Sequence, residues 1–162
     1  MKRFILLITA TLFFAFQIAV GSSAALDIPE NLRTVASNEA GDMVVMSNEE
    51  IKLGETFFNN KCSVCHKSGY TKTDPNVSLG AEDLAFATPP RDNLDGIIDY
   101  LNNPTTYDGE IEIPEFHPST KSADVFVYMR NVSQDDLRHV AGYILYKINA
   151  EPDTWGCGKV CN

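Results

Sequence analysis

The stretch Cys62-Ser63-Val64-Cys65-His66 decides how this chain is read. Two thiols three positions apart, followed at once by an imidazole, form the C-x-x-C-H attachment motif of a c-type haem. The spacing follows from the chemistry. Two thiols add to the two vinyl groups of a porphyrin, and the next residue on the same turn presents a ring nitrogen to the iron. Cys62 and Cys65 are therefore the expected thioether residues of one haem c, and His66 an expected axial iron ligand. A zinc site would want a second pair near ligand spacing, but Cys157 and Cys161 have three residues between them and stand far down the chain. A thioredoxin-type dithiol would follow a βαβ pattern, and none is visible.

The flanks of the motif read as helices. Ser47-Asn48-Glu49-Glu50 is a capping box that opens a helix expected to reach about Asn60, with Ile51, Gly54 and Phe58 on one side. A second box, Ser133 to Asp136, opens a last helix to about Asn149, with Leu137, Val140, Ala141, Ile144, Leu145 and Ile148 on its apolar face. A glycine and then an aromatic just before the attachment motif, crossed by a C-terminal helix, resemble the class I cytochromes c. Val140 and Tyr143 are the expected partners of Gly54 and Phe58. Between these helices, Leu94 to Asn102 reads as a third, ended by Asn103-Pro104. Residues 67–88 read as loop, 122–130 as a short helix, and Met43-Val44-Val45-Met46 as a short strand. The expected fold is all-α: a class I cytochrome c with an extended N-terminal segment, a candidate short β-hairpin, and an irregular tail from Glu151 to Asn162.

The N-terminus carries a different signal. Met1-Lys2-Arg3 is basic, Phe4 to Val20 is almost wholly apolar, and Gly21-Ser22-Ser23-Ala24-Ala25 is small. This is the pattern of a secretory signal peptide, with cleavage expected after Ala24. Residues 1–24 are thus read as signal peptide and 25–162 as a single domain. Past residue 24 the chain keeps 11 basic and 22 acidic residues, a net charge of −11. That charge argues against binding nucleic acid or an anionic membrane surface. It fits a basic protein patch, and equally fits simple solubility.

The second axial ligand is less determined by the residues themselves. Met43, Met46, His117, Met129 and His139 are the candidates. Met129 lies 63 residues after His66, near where many class I cytochromes carry a Met ligand, though Met is also a common core filler. His117 sits between Pro114 and Pro118, which stiffen its segment. His139 falls beside the apolar stripe of the last helix, where a solvent-facing residue is expected. On these grounds His117 and Met129 stay even.

Longer stretches carry more. Ala87-Thr88-Pro89-Pro90-Arg91-Asp92-Asn93, Tyr100, and Asn103-Pro104-Thr105-Thr106-Tyr107-Asp108-Gly109-Glu110 closely resemble the PsbV cytochrome c family. So do His117-Pro118-Ser119, Ser122-Ala123-Asp124, Met129-Arg130-Asn131 and Trp155-Gly156. The family comprises extrinsic subunits of photosystem II in cyanobacteria and algal plastids, and the resemblance spans the whole mature chain. It implies bis-histidine ligation with His117 as the sixth ligand, which resolves the tie, and a low potential, because a Met thioether is missing. It further implies a place on the lumenal face of the thylakoid membrane, beside the photosystem II core and other extrinsic subunits. The implied role is to stabilise the oxygen-evolving manganese–calcium cluster and help retain its calcium and chloride. That is a binding role, not an enzyme's. The competing readings are a soluble lumenal electron carrier ligated by Met129, and a haem enzyme with an open sixth site. The tail departs from the family pattern: Cys157-Gly158-Lys159-Val160-Cys161-Asn162 stands where relatives commonly carry G-K-V followed by aromatics. Cys157 and Cys161 either close a small-loop disulfide or remain thiols.

Overall fold

The computed structural model describes residues 27–157. The expected signal peptide and Cys161 lie outside them. The chain begins with a one-turn helix α1 (Glu30–Arg33) and a hairpin of β1 (Thr34–Ala36) and β2 (Met43–Val45), paired antiparallel with Val35 opposite Val44. Asp42 and Gly41 close the turn: the Ser37 N–H donates to the Asp42 carbonyl at 2.7 Å, and Gly41 adopts φ +81°, a conformation that suits glycine. Arg33 ties the hairpin to the next element by donating to the Met46 carbonyl at 2.7 Å.

Helix α2 (Asn48–Phe57) starts at the expected capping box. The Glu50 N–H donates to Ser47 Oγ at 3.1 Å, and the Ser47 N–H donates to the Glu50 carboxylate at 2.7 Å. The helix does not stop near Asn60. It widens into a π-turn, Phe58–Cys62, and so delivers Cys62 directly from the helix. Single π-turns of this kind recur at functional sites. Helix α3 (Ala81–Phe86) lies inside the stretch expected as loop. It is six residues long and buries only Leu84, too little for an apolar period to show. Helix α4 (Leu94–Asn102) runs over the expected residues, capped by Asn93 Oδ1, which accepts from the Gly96 N–H at 2.9 Å. Residues 122–130 are not an α-helix. They form successive turns ending in a 3₁₀ turn, Val127–Met129, with Val125 and Val127 exposed. Helix α5 (Gln134–Ala150) closes the fold behind its own capping box.

Helix α5 is the centre of the core. Leu137, Val140, Ala141, Tyr143, Ile144 and Leu145 are all buried, so its covered surface is broader than the expected stripe. It crosses α2 on one side and packs on α4 through Leu94, Ile97 and Leu101. The α2–α5 crossing is very close. A Cβ built on Gly54 would stand 2.0 Å from the His139 carbonyl oxygen and 2.7 Å from Tyr143 Cβ. Only the absence of a side chain at Gly54 permits that approach. The fold is mostly helical with one two-stranded sheet, as the sequence led us to expect.

Candidate haem site

The attachment motif continues the π-turn. The Cys65 and His66 N–H groups both donate to the Cys62 carbonyl, at 3.0 and 2.9 Å. Cys62 is half-buried and Cys65 exposed. Burial pushes the Cys62 thiol up to about 12, with Lys61 opposing and Cys65 adding to the shift. After His66 the chain reverses through two left-handed residues, Ser68 at φ 54° and Gly69 at φ +78°. The tail holds this reversal in place. The Gly156 N–H donates to the Ser68 carbonyl at 2.8 Å, Trp155 Nε1 donates to the Leu79 carbonyl at 2.9 Å, and the Trp155 ring packs 5.4 Å from Phe58. As far as Cys157 the tail forms turns and no regular helix, and Trp155 is buried and anchors it. Cys157 is disulfide-bonded.

His66 lies between two contacts. Its Nδ1 is 3.2 Å from Thr71 Oγ1, which leaves Nε2 as the nitrogen open to a metal. Its ring neighbours that of His117, with centroids 6.1 Å apart and planes inclined at 53°. Two imidazoles that each place a nitrogen about 2 Å from one metal ion have centroids roughly 6 Å apart. The spacing therefore fits an iron between the rings and is too wide for direct stacking.

His117 is held from several directions. The Phe116 and His117 N–H groups share the Ile113 carbonyl, each at 3.0 Å. Ser122 Oγ donates to the His117 carbonyl at 3.1 Å and lies 2.8 Å from Ser119 Oγ, both serines being buried. The Thr120 N–H donates to the Leu101 carbonyl at 3.1 Å and so fastens the segment to α4. The Tyr100 ring packs 4.8 Å from the imidazole, and the Arg91 guanidinium lies 3.9 Å over Tyr100. His117 Nδ1 is the one buried side-chain nitrogen or oxygen among the described residues with no hydrogen-bond partner. Leaving such a group unpaired is costly, which suits a ring meant for another bond.

Burial lowers the basicity of both imidazoles. His117 falls to about 4, chiefly through burial, with smaller contributions from His66 and Arg91. His66 is lowered by burial as well. Both rings are thus neutral near pH 7, the form that binds a metal. Among the described residues no three His, Cys, Asp or Glu side chains are grouped as an ordinary metal site. His66 and His117 are the residues that would hold the iron of a macrocycle, and the cysteine pair beside His66 is what would tether it.

The other candidate ligands sit elsewhere. Met46 is fully buried against Gly142, and Met43 is exposed on the hairpin. Met129 is buried in the hydrophobic core. His139 is half-buried rather than solvent-facing, because its backbone carbonyl lies at the α2–α5 crossing. Four contributors were given no part in the site by the sequence reading: Thr71, and Arg91, Tyr100 and Trp155, which entered only as residues of the family resemblance. An arginine just before an apolar helix and a tyrosine within it were the available signal for two of them.

Comparison with known proteins decides the family. A profile described as "Cytochrome c-550 domain" matches residues 26–162. The chain belongs to the cytochrome c-550 family. Over 159 residues it is 48% identical to "Photosystem II extrinsic protein V" of Nostoc punctiforme, covering 98% of each chain. A protein of the same name from Aphanothece halophytica is 48% identical over 162 residues, covering 100% of this chain and 99% of that one. The fold is similar to a crystal structure of cytochrome c549, with a TM-score of 0.78, 53% identity, and coverage of 80% of this chain and 100% of the other. It also resembles the PsbV2 cytochrome of Thermosynechococcus elongatus, at TM-score 0.64 and 28% identity, covering 76% and 87%. As a member of the cytochrome c-550 family the chain carries one covalently bound c-type haem. The class I cytochrome c fold and the family resemblance read from the sequence both stand.

Proposed function

We propose that this cytochrome is an extrinsic subunit on the lumenal side of photosystem II, carrying one low-potential haem joined to Cys62 and Cys65 and ligated by His66 and His117. The observation that carries the ligand assignment is the 6.1 Å separation of two neutral, half-buried imidazoles. The photosystem II assignment rests on the near full-length relatives named for that complex. A signal peptide at residues 1–24 delivers the mature domain, 25–162, to the lumen. None of the described helices is long and apolar enough to cross a membrane, in keeping with a peripheral subunit. Once docked, the protein shields the manganese–calcium cluster and helps retain calcium and chloride. It works by binding and not by turnover.

When bound, the haem supplies a one-electron ferric/ferrous couple. The residues determine what that couple is. Thr71 orients His66, while Ser122 and Tyr100 hold His117. Two imidazoles in place of an imidazole and a thioether favour the ferric state and lower the potential. The carrier reading through Met129 loses ground here, because that side chain is an integral part of the core.

The test is a pair of measurements on holoprotein, wild type beside His117→Ala. The oxidised wild type is expected to show a bis-histidine low-spin EPR spectrum that the variant lacks. A sulfur-to-iron absorption band that survives the substitution would make Met129 the ligand. Added to photosystem II membranes stripped of extrinsic proteins, the wild type should bind stoichiometrically and restore oxygen evolution at low calcium and chloride. Weak, transient binding without recovery would instead mark a mobile carrier.

A further inference from the structure

Arg91 is a buried cation without an ion pair. It is 7% exposed, and none of the salt bridges among the described residues involves it. Its Nη2 donates instead to neutral acceptors, the Thr106 carbonyl at 2.9 Å and Thr105 Oγ1 at 3.2 Å. A cation buried this deeply is little screened by water and so acts strongly on charge changes near it. The guanidinium carbon of Arg91 lies 3.9 Å from the centroid of the Tyr100 ring, and Tyr100 in turn neighbours His117, at 4.8 Å. The three groups form one row, with the Tyr100 and His117 planes inclined at 58°, held at one end by fixed backbone carbonyls and reaching at the other an imidazole whose centroid is 6.1 Å from that of His66.

We infer that Arg91 and Tyr100 are positioning residues for His117: Tyr100 holds the plane of the imidazole, and the charge of Arg91 raises the reduction potential of the haem. This rests on His117 serving as an axial ligand. The electrostatics have a definite sign. Adding one electron to ferric iron lowers the net charge of the centre by one, so a nearby fixed cation favours the ferrous state. The stack also fixes geometry. The 53° between the two imidazole planes depends on what each ring leans against, and the low-spin ferric EPR spectrum reads that angle. Arginine suits the position because a guanidinium both stacks flat and keeps its charge, whereas lysine does only the second.

The test uses holoprotein with mediated redox titration and low-temperature EPR. In Arg91→Gln the ferrous-to-ferric ratio at a fixed ambient potential should fall about tenfold, which for a one-electron couple is about 59 mV. Arg91→Lys keeps the charge and loses the flat face. It should titrate within about twofold of wild type while its EPR spectrum shifts. Tyr100→Leu should shift the EPR spectrum too, since the imidazole loses its wall. An Arg91→Gln protein that titrates like wild type would overturn the electrostatic part. A Tyr100→Leu protein with the wild-type EPR spectrum would overturn the positioning part. If Arg91→Gln does not fold, Arg91→Met, an uncharged replacement of similar length, carries the potential measurement, and Tyr100→Leu decides the positioning part. His117→Ala, run in parallel, separates the two levels. If its spectrum matches wild type, the ligand assignment has failed rather than the stack.

Discussion

Substituting Gly54 by alanine is the sharpest test of how this fold holds its haem turn. The new Cβ would sit 2.0 Å from the His139 carbonyl oxygen, 2.7 Å from its carbon and 2.7 Å from Tyr143 Cβ. Two of the three obstacles are backbone, and the third is the first atom of a side chain, so no rotamer change relieves them. Helices α2 and α5 would have to part by about 1 Å. A gap of that order forfeits a quarter to a half of the dispersion attraction across it, and Ile51, Phe58, Val140 and Tyr143 all pack along this contact. With burial of each of these four side chains worth about 1.5–3 kcal/mol, the loss comes to roughly 1.5–6 kcal/mol. The better helix propensity of alanine returns about 1 kcal/mol. The net expectation is about 0.5–5 kcal/mol of destabilisation, or, at the middle of that range, a Tm lowered by roughly 10 °C for a chain of this size. Thermal unfolding of the holoprotein followed by circular dichroism measures it. Gly142→Ala is the control, since its Cβ meets the terminal methyl of Met46, at 2.4 Å, which can move aside. It should cost less than half as much. A Gly54→Ala protein as stable as wild type would mean that the helices do not cross this closely.

Two further predictions concern the ends of α5. Trp155→Ala removes a ring packed on Phe58 and Tyr143 and should cost about 3–5 kcal/mol in urea unfolding; Trp155→Phe, which keeps a ring but loses the bond to the Leu79 carbonyl, should cost nearer 1 kcal/mol. At the other end, hydrogen bonds from the Ser133 backbone and then from its hydroxyl hold the Asp136 carboxyl below its ordinary 3.8. A lowered folded-state value means that its contribution is present above the unfolded value and lost as pH falls through the folded one. Asp136→Ala should therefore be less stable than wild type at pH 7, with the difference closing as pH falls below about 4.

What could be read in advance divides by range. The attachment motif, both capping boxes and helix α4 are local features: Ser47 meets Glu50, Ser133 meets Asp136, and Asn93 meets Gly96, each three residues on. Such contacts are written in the spacing itself. Helix α3 was not legible because it buries a single residue, Leu84, and one apolar side chain has no period. At 122–130 the apolar residues suggested a helix, yet Val125 and Val127 point outward and the backbone takes turns instead. The choice between His117 and Met129 could not be made from the residues alone, since both lie at plausible distances along the chain. It needed the resemblance, and the ring contact between residues 66 and 117 is a fact of tertiary structure. The contacts of Trp155 and Tyr100, both seen only as residues of the family resemblance, were out of reach for the same reason. Their partners are separated from them by long stretches of chain: Leu79 lies far upstream of Trp155, and His117 beyond the end of α4 from Tyr100.

The two faces of the site are held by different parts of the molecule. His66 follows a turn that extends α2 and is braced by Trp155, beyond the end of α5. His117 is fastened to α4, through Leu101 and Tyr100, and to its own turn through Ser119 and Ser122. Nothing in either anchor alone sets the 6.1 Å between the rings. That distance is set where α2 and α4 both pack on α5, through Gly54 and Tyr143 on one side and Leu94, Ile97 and Leu101 on the other. Interiors packed as densely as crystals transmit such displacements instead of absorbing them. A substitution at the α2–α5 crossing should consequently be felt at the iron as well as in the melting curve, and Gly54→Ala holoprotein that still folds should show a broadened EPR spectrum. If its spectrum stayed sharp and unshifted, the ring spacing would have to be held locally, by the stack at Tyr100 and the turn at Thr71, without help from the core.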